Sequence, residues 1–145
     1  MISKRILNQY IDLQAEIEET RERIEKTKRQ IAILEKETVQ DTVKGGEGGI
    51  QRFKVEGFAS ADYGRQRSIL FSRIALLQAL ENEIDNTLNE VHMFINSISD
   101  SHMRRIITLR YVDGLSWNRV ADEIGGGNTE DGVRMSFNRF MEKIS

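Results

Sequence analysis

Nine residues near the start of the chain, Ile6, Tyr10, Leu13, Ile17, Thr20, Ile24, Thr27, Ile31 and Leu34, recur at alternating steps of four and three. That spacing is a heptad seam, with Tyr10, Ile17, Ile24 and Ile31 at one core position and Leu13, Thr20, Thr27 and Leu34 at the other. The residues between them, as in ETRERIEKTKRQ, are good helix formers that can make i,i+4 ion pairs. The 145 residues contain no proline, so nothing in the chain forces a helix to stop by that route. The seam packs either on its own chain or on a second copy. Threonine at two core positions weakens it.

The pattern breaks over 38–60. VKGGEGG holds four glycines in seven residues but lacks the Gly-Lys-Ser/Thr ending of a nucleotide-binding loop. In IQRFKVEGF, Gln51, Phe53 and Val55 alternate with Arg52, Lys54 and Glu56, which allows a short strand or hairpin arm. A flexible linker between two helices fits as well and is preferred. A second helical pattern follows over about 61–97, where Leu70, Ile74, Leu77, Ile84, Leu88, Val91, Ile95 and Ile98 keep heptad steps and Glu81 interrupts them. Leu76 and Leu80 widen this stripe, as suits a helix with more than one neighbour. The simplest packing is an antiparallel hairpin across a Gly-rich loop at 43–60, doubled in a homodimer or higher oligomer. Ser97–Ser101 supplies several possible N-caps, and the sequence divides there. Residues 1–98 form a helical oligomerisation region and 99–145 a second domain.

Charge narrows the function. Lys and Arg number 21 against 23 Asp and Glu, and the last 45 residues carry seven basic and six acidic groups. No segment is a strong cation, which argues against bulk coating of nucleic acid. Any DNA contact must come from a small oriented patch, helped by dimerisation or a partner. Cysteine is absent, which excludes disulfides, thiol catalysis and Cys-based zinc sites. The start, MISKRILNQY, has no apolar signal core, and no segment approaches a membrane span. The expectation is a soluble cytoplasmic protein with no membrane and no cofactor. His92 and His102 lack metal-ligand spacing, no Ser-His-acid set stands out, and an enzyme is not expected.

The final stretch reads as three short helices. The first runs from about 102 to 112 and ends at Asp113-Gly114. Ser116 caps a second, Trp117 to Ile124, which Gly125 terminates. Gly126, Gly127 and Asn128 form a turn. Thr129 caps a third helix at about 130–143, with Glu130 and Asp131 favourable in its first turn. Two short helices across a Gly-containing turn are the signature of a helix-turn-helix. Val120, Ala121 and Ile124 face inward from the second helix. Val133, Phe137, Phe140 and Ile144 face inward from the third, with Leu109, Tyr111 and Leu115 closing the core. Trp117 reads as half-buried scaffold.

Asp131, Met135, Asn138 and Glu142 then lie on the outward face of the third helix, with Arg134 and Arg139 on its flanks. In a helix-turn-helix this face enters the major groove of double-stranded DNA. Asn can pair an adenine edge, Arg a guanine edge or a phosphate, and Met can touch a thymine methyl. Asn128 and Thr129, at the turn and cap, complete the candidate contacts. Arg104, Arg105, Arg110 and Arg119 are candidate phosphate anchors. Each arginine reads equally well as a solvated surface residue. The acids Asp131 and Glu142 on the same face count against tight binding by a monomer.

The stretch LRYVDGLSWNRVADEIGGG…VR resembles region 4 of sigma-70-type sigma factors. The resemblance is carried by Leu109-Arg110-Tyr111, Gly114-Leu115-Ser116, Val120-Ala121, Ile124-Gly125 and Val133-Arg134. The whole chain, with the block VKGGEGGIQRFKVEGF and then Met103-Arg104-Arg105-Ile106, is similar to small phage and prophage proteins of Gram-positive bacteria of the ArpU and RinA late-regulator type. The separation of Ala121 and Val133 is two residues longer than the usual region-4 spacing, and the extra residues fall in Gly126–Thr129. Arg134 carries over best, because it adjoins the matched Val133. The resemblance implies a region that reads an upstream promoter element and touches the flap of the polymerase β subunit. No counterpart of the promoter-opening region is recognisable. A promoter-binding regulator that recruits host RNA polymerase is therefore expected, rather than a complete sigma factor.

Two other readings stand beside it. A DNA-packaging adaptor similar to a small terminase subunit also joins a helix-turn-helix to an oligomerisation hairpin, usually in the reverse order. A helical protein-interaction module would use the same fold only as a packing unit and bind no DNA.

Overall fold

The computed structural model describes the backbone of residues 2–44 and 49–144, and side chains over 4–37 and 61–144. Every regular element among them is helical, so the described chain is all-α. The elements are α1 (Ile2–Lys44), α2 (Gly49–Ser97), α3 (Ser101–Ile107), a π-helical segment (Thr108–Val112), α4 (Trp117–Ile124) and α5 (Glu130–Ile144).

The long helices run further than the periodicity implies, to 43 residues in α1 and 49 in α2. The strand or linker expected over Gln51–Glu56 is helix instead. A strand needs another to pair with, and there is none among the described residues. Without proline, Gly57 alone costs a helix only about 1 kcal/mol. Of the loop expected at 43–60, residues 43–44 and 49–60 are helical, and 45–48 lie outside the described residues.

Contacts divide the chain into two compact units, Met1–Ala15 with Glu81–Ser145, and Glu16–Leu80. In the second unit, the seam positions Ile17, Thr20, Ile24, Thr27 and Ile31 of α1 are buried, and the last, Leu34, is half-buried. The threonines, 2% and 0% exposed, are the deepest of the five. Each hydroxyl donates to its own helix, Thr20 Oγ1 to the Glu16 carbonyl at 2.7 Å and Thr27 Oγ1 to the Arg23 carbonyl at 2.8 Å. A hydroxyl satisfied one turn back can be buried while its methyl packs. From α2, Leu80 is buried and Leu70, Ile74 and Leu77 are half-buried, while Leu76, expected to widen this stripe, is 44% exposed. Arg73 Nη1 donates to Thr27 Oγ1 and to the Arg23 carbonyl at 3.3 Å. Tyr63 donates to Glu35 Oε1 at 3.0 Å. The pairs 27–73 and 35–63 run in opposite chain directions, so α1 and α2 approach each other antiparallel in this unit.

The first unit holds one hydrophobic core. Leu7 and Tyr10 of α1 enter it, with Val91 and Ile95 of α2 and Ile98 beyond. Met103, Ile106 and Ile107 of α3 and Tyr111 form its middle. Val120 and Ala121 of α4, and Val133, Phe137 and Met141 of α5, complete it. The helical break at 98–100, where the sequence pattern divides, lies inside this unit. The stripe of α5 differs from expectation at its end. Met141 is buried, Phe140 is half-buried and Ile144 is 43% exposed, because steps of four from Val133 through Phe137 reach Met141 on the same face.

Candidate nucleic-acid interface

The segment from Asp100 to Ile144 is positioned by local hydrogen bonds that its sequence specifies. Asp100 caps α3 by accepting from the His102 amide at 3.1 Å. The helix then widens, with the Asp113 amide on the Thr108 carbonyl at 2.9 Å and the Leu115 amide on the Leu109 carbonyl at 3.1 Å. Ser116 caps α4 through the Arg119 amide at 3.3 Å, and Gly125 ends it with φ 69°. Gly126 and Gly127 follow at φ 65° and 78°. Three successive left-handed residues would strain any other side chain, so the GGG run is what allows this turn. Thr129 then caps α5 by accepting from the Gly132 amide at 3.1 Å.

Aromatic packing locks α5 against the helices behind it. Phe137 lies 5.5 Å from the Tyr111 ring and 5.3 Å from the Trp117 ring, both tilted. Trp117 is half-buried scaffold, as its place after the cap implies. Burial raises the Tyr111 hydroxyl above its ordinary pKa of 10.0, and the positive charge of Arg110 works against that rise.

The candidate contacts fall into distinct groups. On α5, Asp131, Arg134, Met135, Asn138, Arg139 and Glu142 are all exposed, opposite the buried Val133, Phe137 and Met141. Met135 is 49% exposed, high for so apolar a side chain. Arg134 Nη2 and Asp131 Oδ1 form an ion pair at 2.8 Å, so the two charges partly cancel. Asn128 and Thr129 are exposed but locally engaged. Asn128 Nδ2 donates to the Gly125 carbonyl at 2.6 Å, and Thr129 is the cap already described. Arg119 and Arg105 are exposed.

Two of the expected phosphate anchors are committed elsewhere. Arg104 Nη1 donates to the Ile98 carbonyl at 2.7 Å and so closes the α2–α3 connection. Arg110 lies 4.9 Å over the Trp117 ring and donates from Nη1 to the Leu115 carbonyl at 3.0 Å. Its Nε is buried without a hydrogen-bond partner, which a flat guanidinium stacked on an indole tolerates. Arg104 and Arg105 border a cleft of about 370 Å³ with Ser101, Thr108 and Glu123, to which α5 contributes nothing. Nothing in the sequence separates these half-buried arginines from surface ones, except the adjacency of Arg110 to the core residues Leu109 and Tyr111.

Among the described residues, no group of His, Asp or Glu could hold a metal ion, and no helix is long and apolar enough to cross a membrane. No protein-family model matches the chain, and neither a curated protein nor a solved structure matches it.

Proposed function

We propose that this chain is a sequence-specific DNA-binding transcriptional regulator of phage type. In this reading α4 and α5 are a helix-turn-helix resembling sigma region 4, and α5 is the helix that enters the major groove. α1 and α2 form an antiparallel helical hairpin that makes a homodimer, and host RNA polymerase is recruited at the promoter. One observation carries it. Arg134, Met135, Asn138 and Arg139 share the solvent side of a 15-residue helix whose other side is fixed by Val133, Phe137 and Met141. These side-chain types match base edges, thymine methyls and phosphates. Helix α4 packs behind α5 across a turn that only glycines adopt readily.

The test is a titration against a library of short duplexes, comparing the protein with its Arg134→Ala variant. Enrichment of particular sequences that the variant loses supports the reading. Equal enrichment by both proteins removes Arg134 from base recognition.

A second reading has its own support. The Asp131–Arg134 ion pair and the internal roles of Arg104 and Arg110 leave few cations for phosphate. A helical protein-interaction module needs none, and it predicts no duplex binding at any salt. A polymerase subunit added to the titration separates the two.

A further inference from the structure

The seam that joins α2 to α1 is not the only heptad pattern on α2. Arg65, Ile69, Ser72, Leu76, Ala79 and Glu83 follow one another at alternating steps of four and three, on the side away from Leu70, Ile74 and Leu77. All six are exposed, Ile69 at 39% and Leu76 at 44%. Ile69, Ser72 and Leu76 line a shallow groove with Ser68 and Arg73.

We propose that this second seam binds a second copy of the chain, with the two α2 helices antiparallel about a two-fold axis beside residue 74. The order of residues carries the assignment. In an antiparallel pair about that axis, Ile69 meets the other copy's Ala79 and Ser72 meets its Leu76. Each large side chain therefore faces a small one, in both halves. At the ends, Arg65 meets Glu83 of the other copy, so opposite charges fall together twice. A parallel pair would instead place Arg65 on Arg65 and Glu83 on Glu83, where like charges repel. A two-fold interface requires a self-complementary surface, and this stripe has that property in size and in charge. In the single chain Arg65 pairs with Asp62, one turn away, and Glu83 accepts from Gln9 at 3.1 Å; both side chains stay exposed. This deepens the proposed homodimer by naming its surface, and it does not depend on DNA reading.

Sedimentation equilibrium on the full chain at micromolar concentration tests it. The wild type is expected to dimerise. Leu76→Glu removes two leucines per dimer and is expected to raise the dissociation constant about a hundredfold. Arg65→Glu is expected to raise it about tenfold, and Arg65→Glu with Glu83→Arg to restore it. The positions are exposed, so circular dichroism should show unchanged helix content. Because the chain has no cysteine, Ser72→Cys and Leu76→Cys give a register test. Oxidising a mixture of the two is expected to cross-link faster than oxidising either alone. A monomeric wild type, a Leu76→Glu variant that still dimerises, or faster cross-linking of each variant alone would overturn the proposal. A dimer by this seam that binds no duplex leaves it standing and removes the DNA reading instead.

Discussion

Arg110 and Arg134 are the same residue type, 24 positions apart, in different physical situations. Arg110 is held by an indole face and a carbonyl, whereas Arg134 is 48% exposed at its side chain with a single carboxylate partner. Arg110→Ala is expected to destabilise the fold by about 1–3 kcal/mol in urea unfolding, through the lost stacking and hydrogen bond. Arg134→Ala is expected to change stability by less than about 0.5 kcal/mol, since exposed ion pairs contribute little. Tyr111 adds a pH signature. Its folded pKa is raised, so above pH 10.0 the unfolded chain ionises this tyrosine before the folded chain does. The stability it contributes is therefore complete below pH 10.0 and is lost as pH rises through the folded value. Tyr111→Phe is expected to flatten that part of the stability–pH curve. An unchanged curve would mean that Tyr111 ionises equally in both states.

At the scale of the element, much of the pattern was legible from spacing alone. The α1 seam positions from Tyr10 to Ile31 are those that are buried, because a long helix with no proline keeps a strict heptad phase. Leu7 lies one residue off the heptad phase that Ile6 keeps, yet Leu7 is fully buried and Ile6 only half-buried, because the core of the first unit takes Leu7. Residues 51–56 fit strand, linker and helix alike in sequence, because two alternating apolar residues over so short a run suit both periods. The caps Asp100, Ser116 and Thr129 were legible in type, as short polar residues before apolar runs. The half-buried Arg104 and Arg110 were not, because a guanidinium engaged by its neighbours has no sequence mark. Two predictions belong here. Thr20→Val replaces a buried hydroxyl with a methyl and is expected to stabilise by about 1 kcal/mol, whereas Thr27→Val gains less because Arg73 loses an acceptor. Gly127→Ala is expected to cost about 1 kcal/mol, from backbone conformation alone, since a Cβ there meets nothing within 4 Å. Thermal unfolding of the three variants checks both.

For the whole molecule, near-neutral charge sets the terms. A chain of net charge −2 cannot hold DNA by bulk attraction, so the proposed reader depends on a few placed arginines and on a second copy. Arg105, Arg119, Arg134 and Arg139 are the exposed arginines of the α3–α5 segment. If all four reach phosphates or bases, each chain is expected to lose about a hundredfold in affinity between ~50 and ~200 mM salt. A homodimer would steepen that dependence, and any duplex selected by the dimer is expected to carry two related half-sites. Whether α5 reads DNA is decided by the duplex-library titration at those two salts, with wild type and Arg134→Ala side by side. A DNA-reading α5 is expected to select a sequence, bind it more weakly at higher salt, and lose about 1–3 kcal/mol of discrimination on Arg134→Ala. Absence of any selected sequence at either salt would contradict DNA reading by α5 and leave it as a face for protein.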